Sequence, residues 1–268
     1  MFRTLQSMIQ DNWIWRGQIW RLAATELQKE VRGAVLGWVW LILTPAIYVS
    51  VFWFGLEIGL RTGGSVNGLP YVLWLSLGII PWFFMSAMIS SGSDVYHQYP
   101  YLINKLRFPL SVISSFYGFA RFIVFAITMV IVIVAVAFTH GLSVYAVQTV
   151  FIAAMMYVFW TAWSMLVSPL SALSKDFHNL VKAMSTPLFW LSGTLFNVSK
   201  IKYEWIQWIL AFNPITFFVT SFRAALCDHY WIWTSHRLLY PFLGIFVLTI
   251  IGAVLIQSRL GTEMADVL

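Results

Sequence analysis

The side chains able to do chemistry in this chain are few and far apart. Five histidines, His97, His140, His178, His229 and His236, are scattered, and no His-Glu-x-x-His or Asp-x-Asp pair offers the spacing of a metal site. The single Cys227 excludes a disulfide within the chain and a cysteine metal cluster. No Gly-x-x-x-x-Gly-Lys-Ser/Thr loop is present to cradle a nucleotide's phosphates. Spacing therefore assembles no catalytic centre, and the expectation is a chain that binds no metal or cofactor of its own. The abundant chemistry is aromatic: 15 Trp, 22 Phe and 11 Tyr. Broad rigid rings make large contacts with little loss of entropy, and they also form the interfacial belts of membrane proteins.

Membrane spans must carry these rings. The chain of 268 residues is 60% hydrophobic and only 10% charged, well outside the composition of soluble domains. At about 20 residues per spanning helix, it holds about six spans and no soluble catalytic domain. Stretches between charges place the spans near residues 33–56, 69–91, 117–138, 144–170, 183–195 and 238–257. Pro81 predicts a kink in the second. Glu57 and Arg121 fall near span ends, with Arg121 in the first turn of the third, where long side chains reach the interface.

Three segments lie outside this pattern. Residues 14–32 carry Ile19, Ala23, Leu27 and Val31 at i+4 spacing among charges, which predicts an amphipathic helix in the membrane interface. It serves either as an anchor or as an element meeting a partner or an anionic head group. Residues 94–109 read as one surface helix between two spans. Residues 197–237 are too apolar for a solvated loop and too interrupted for a span, so they predict two re-entrant helices broken at Asn213-Pro214, a geometry tolerated only inside protein or against an aqueous cavity.

The expected layout is a terminal segment 1–34 with the interface helix, a six-span domain 35–258, and a tail 259–268. Ten basic residues flank the spans on the side of the termini and five on the other, so the positive-inside rule places both termini in the cytoplasm. The net charge of +6 is read as orientation, with no nucleic-acid partner. Residues 1–15 lack the apolar core of a cleaved leader, which leaves insertion to the first span.

Several stretches together resemble a known family. They are Glu26-Leu-Gln-Lys-Glu-Val-Arg-Gly-Ala-Val-Leu-Gly-Trp-Val-Trp, Gly78-Ile-Ile-Pro-Trp-Phe-Phe, Leu102-Ile-Asn-Lys-Leu-Arg-Phe-Pro, Ser174-Lys-Asp-Phe-His-Asn-Leu and Asn213-Pro214. In this order, over nearly the whole chain, they resemble the membrane subunits of type-2 ATP-binding-cassette exporters, in the branch that exports lipid-linked polysaccharide such as O-antigen, capsule or teichoic acid. Gln28-Lys29-Glu30 departs from the family's more basic and aromatic pattern.

The resemblance implies an all-α permease of the bacterial cytoplasmic membrane. It implies a homodimer with two copies of a separate ATPase, which holds ATP and Mg and docks under the interface helix and the 94–109 connection. Asp94, His97, Asn104, Lys105, Arg107, Lys175 and Asp176 are the expected coupling residues, and Asn213 and Pro214 the outer gate. The expected substrate is an undecaprenyl-diphosphate-linked glycan. Trp38, Tyr48, Phe52, Trp53, Trp74, Trp82, Phe83, Trp160, Trp163 and Trp190 are the candidate path, and Arg21, Lys29 and Arg32 the cations available to a diphosphate at the entrance. Two other functions compete: a small-molecule exporter of the same superfamily, and a polyprenyl-linked membrane transferase relying on Asp94 or Glu57.

Overall fold

A computed structural model of the chain describes residues 2–61, 64–106 and 108–260. Twelve α-helices account for most of it: α1 (Phe2–Ile14), α2 (Arg16–Val31), α3 (Val39–Trp53), α4 (Tyr71–Ser90), α5 (Val95–Gln98), α6 (Pro100–Asn104), α7 (Leu110–Thr139), α8 (Gln148–Leu173), α9 (Lys175–Trp190), α10 (Glu204–Ala211), α11 (Pro214–Arg223) and α12 (His236–Leu260). Among the described residues, the β-type pairing is confined to one isolated bridge, Val66 with Leu69.

The fold is an all-α membrane bundle. Five segments are long and apolar enough to cross a bilayer: Val39–Gly59, Tyr71–Gln98, Leu110–Thr139, Val144–Leu173 and His236–Leu260. The pair Glu204–Ala211 and Pro214–Asp228 is bent by 100°, a bent helix pair, below called the hairpin, with its break at Asn213-Pro214. Pro214 opens α11 as its first residue, and the Asn213 side chain accepts a hydrogen bond from the Ile215 amide at 3.0 Å, so the dipeptide ends one helix and caps the next.

The fifth passage differs from the expected 183–195. α9 starts at Lys175, capped by the Ser174 hydroxyl on the Phe177 amide, and stops at Trp190. Its 16 residues reach about 24 Å, short of the roughly 30 Å of a hydrocarbon core. It begins beside Asp94, with His178 Nδ1 3.9 Å from that carboxylate, and its following turn reaches Gly78 of α4.

α4 is the axis of the bundle, buried along most of its length, and it continues through Pro81 as helix. α3 is the reverse: only Pro45 and Val49 are buried, and it packs chiefly on α4. α7 starts at Leu110, seven residues before the expected 117, because Leu110 to Phe116 supply apolar and hydroxyl side chains that bury against the neighbouring helices. Its 30 residues extend about 45 Å, and this places Arg121 three turns along instead of in the first.

The N-terminal segment forms two helices meeting at Trp15. The apolar stripe of α2 is spent on protein: Ala23 and Leu27 are buried with Ala120 of α7, against Phe119, Ile123 and Val124. Residues 94–109 likewise form two short helices instead of one, because Tyr99 precedes Pro100 and leaves the helical region at φ −130°, ψ 48°. α1 lies beside α12, with Leu5, Met8 and Asn12 close to Ile250 and Val254.

Candidate functional site

A groove of about 250 Å3 opens between α3, α4 and α9. Tyr48 and Phe52 contribute from α3, Ile79, Trp82, Phe83 and Ser86 from α4, and Ser185, Thr186 and Phe189 from α9. The rings form a connected set. Tyr48 meets Phe83 edge-on at 5.2 Å, while Phe189 touches Trp82 at 5.0 Å and Phe52 at 5.6 Å. Hydroxyls and flat rings thus share one open surface. Phe189 also contacts Trp190 at 5.9 Å, which leads toward a second cavity of about 660 Å3 near the hairpin, where Tyr71, Trp74 and Trp190 meet Asn197 and Lys200.

Of the ten expected path residues, Tyr48, Phe52, Trp82 and Phe83 are brought together in the groove, and Trp74 and Trp190 stand at the larger cavity. Trp74 is 2% exposed, covered by Tyr71 and by the Arg223 guanidinium. Trp160, also 2% exposed, packs with Phe159 and Trp163 in the core of α8. Trp38, exposed at the start of α3, and half-buried Trp53 lie outside both spaces. Sequence reasoning missed Phe189, Ser185 and Thr186. The Ser174 cap was their available signal, since a helix started there puts 185, 186 and 189 on one face.

The end of the bundle formed by α2, the 94–109 connection and the start of α7 holds a polar network. Glu26, buried on α2, accepts a hydrogen bond from the Tyr99 hydroxyl and lies 3.4 Å from Arg121 of α7. Arg121 also pairs with Glu30, so its charge is met by protein and not by the interface. Burial, reinforced by the Glu26 carboxylate, pushes the Tyr99 phenol well above its ordinary range, keeping it a donor. Lys29 stands 3.8 Å from Glu26 and over the Tyr99 ring, while Arg21 and Arg32 are exposed. Asp94 lies 2.8 Å from His97 and 3.9 Å from His178, a charge approach without a hydrogen bond that brings the 94–109 connection against the first turns of α9, where Lys175 and Asp176 stand exposed. Asn104 and Lys105 are exposed on the same connection. Arg107 lies outside the described residues, as do 261–268 of the expected tail.

At the opposite end, α9 is tied to the hairpin twice. Asn213 Nδ2 donates to the Leu191 carbonyl at 3.1 Å. Arg223, buried at the far end of α11, donates to the carbonyls of Gly193 at 2.7 Å and Thr194 at 2.6 Å.

The chain is similar to known proteins over most of its length. The O-antigen export system permease protein RfbA of Myxococcus xanthus is 21% identical over 224 residues, covering 83% of this chain and 85% of its own length. Two proteins of the same name from Klebsiella pneumoniae are 23% and 22% identical over 248 residues, each covering 91% of this chain and 92% of its own length. The family model described as ABC-2 type transporter matches residues 17–227, from α2 through the hairpin, and the chain belongs to this family of transporter membrane subunits.

Proposed function

We propose that this permease exports an undecaprenyl-diphosphate-linked glycan, of the O-antigen, capsule or teichoic acid kind, from the cytoplasm to the outer face of the bacterial cytoplasmic membrane. The observation that carries the reading is the open groove of Tyr48, Phe52, Trp82, Phe83 and Phe189, mixed with Ser86, Ser185 and Thr186. Rings offer faces to sugars, hydroxyls exchange hydrogen bonds with theirs, and neither creates the deep minimum that would arrest a moving polymer. The O-antigen relatives support the same substrate class.

Two copies of the chain complete the conduit in this account. α3 leaves Tyr48 and its neighbours exposed, and a second groove facing the first encloses a path. Both termini lie in the cytoplasm, and two ATPase subunits dock beneath α2, α5 and α6. Their closure on ATP moves Glu26, Tyr99 and Asp94. Asp94 passes the motion to α9 through His178, and α9 passes it to the hairpin through Leu191 and Gly193, a shift of population between closed and open states.

Deleting the chain in its host and staining surface glycan, together with purification of a tagged chain, tests the proposal. Loss of surface glycan and recovery of a stoichiometric ATPase support it. A chain that purifies alone and transports or transfers glycan without any nucleotide-binding subunit overturns it.

A further inference from the structure

A third space, of about 500 Å3, opens at the hairpin end between the loop after α3, the 197–200 turn, α10, α11 and the start of α12. Its volume falls in the roughly 300–1,000 Å3 range of small-molecule sites. Most of the residues lining it are polar, where most of those lining the groove are aromatic. Asp228 accepts a hydrogen bond from Asn67 Nδ2 at 2.7 Å. Gln207 accepts from Arg237 Nη1 at 2.6 Å and donates to the Ile201 carbonyl at 2.7 Å, and Arg237 also pairs with Glu204. These bonds hold the side chains in place before any ligand arrives, and each carboxylate oxygen and guanidinium nitrogen retains further bonding capacity.

The chemistry of the walls selects the ligand class. A diphosphate needs an excess of cations, but here Asp228 shares the wall with Lys200 and Arg237, and Arg237 is already paired with Glu204. An apolar drug needs apolar walls. Amides, the Tyr230 hydroxyl, a carboxylate and a guanidinium in near-neutral balance suit a ligand carrying many hydroxyls, each of which both donates and accepts. Asn197 and Lys200 border this space and the Trp74 and Trp190 cavity alike, so the 197–200 turn is a wall common to both.

We propose that this cavity is an exit-side binding site for one or two sugar residues of the exported glycan, a deepening that rests on the glycan-export reading above. Because α11 and α12 both border it, a bound sugar braces the hairpin away from the path while the polymer moves.

The test is binding of the oligosaccharide released by mild acid from the host's own surface glycan, measured by calorimetry on the permease purified in lipid nanodiscs with any subunit that accompanies it. Asp228→Ala is compared with Tyr230→Phe, which removes a hydroxyl alone and guards against a folding artefact. Saturable binding to the wild type, weakened by Asp228→Ala about tenfold or more and by Tyr230→Phe to a lesser degree, is the expected result. Absence of binding, or equal binding by wild type and both variants, overturns the site. A deletion strain that loses its surface glycan confines that failure to the site, whereas one that keeps its glycan overturns the export reading and the site with it.

Discussion

The guanidinium carbon of Arg223 lies 3.5 Å from the ring centroid of Trp74. It is a buried cation whose hydrogen bonds go to the backbone carbonyls of Trp74, Gly193 and Thr194. Together with the π face of Trp74 these replace the carboxylate that a charge at this depth ordinarily requires. One side chain thereby fastens α11, α4 and the turn after α9.

Replacing this residue separates charge from geometry. Arg223→Ala leaves carbonyls unpaired, at a cost of about 1–3 kcal/mol for each buried group, and is expected to lower the thermal midpoint and abolish export. Arg223→Lys restores charge without the planar fork and is expected to recover stability in part and export less. Thermal unfolding in detergent and surface-glycan staining read the two effects.

Gly78 tests the same junction from the other side. A Cβ there would stand 2.6 Å from Arg223 Nη2 and 2.8 Å from the Thr194 carbonyl, closer than side chains pack. Gly78→Ala is expected to destabilise the protein, and the double variant with Arg223→Ala to lose less than the sum of the singles, since both disrupt one contact.

The two glutamates of α2 carry unequal loads. Glu26 is buried and bonds both Tyr99 and Arg121, whereas the more exposed Glu30 bonds Arg121 alone. Glu26→Gln weakens hydrogen bonds worth about 1.5–3 kcal/mol to a charged group. Glu30→Gln removes an ion pair of about 1 kcal/mol or less. Glycan exported per ATP hydrolysed by the purified complex is expected to fall sharply in the first variant and little in the second. Equal effects contradict a coupling role for the Glu26 to Tyr99 bond.

Groove residues and core residues should part company. Trp82→Ala, at the partly exposed wall of the groove, is expected to cut surface glycan severalfold with a small change in thermal midpoint. Trp160→Ala, buried in α8, is expected to cost about 3–5 kcal/mol as a cavity in the core and to reduce glycan only by reducing folded protein.

Much of the architecture was legible because charges punctuate the sequence. The long spans, the break at Asn213-Pro214 and the polar turn at Asp94 all stand where charge, proline or an asparagine cap interrupts apolar sequence. The start of α9 was missed for the same reason: Lys175, Asp176 and Lys182 look like a loop when charges alone set the boundary, although the Ser174 cap marks a helix. Arg121 reads from sequence as a residue reaching for the interface because Glu26 and Glu30 lie more than ninety positions away. The orientation of the tryptophans was not legible. α4 is apolar all round, so no periodicity separates buried Trp74 from Trp82, which faces the groove.

A photo-crosslinking amino acid substituted at Thr186, an exposed position on the α9 wall of the groove, tests the central claim most directly. Irradiation of exporting cells is expected to yield a covalent adduct between the permease and glycan, and the adduct should disappear when ATP hydrolysis by the associated subunit is blocked. Adducts with phospholipid alone, unchanged by ATPase activity, would contradict the account.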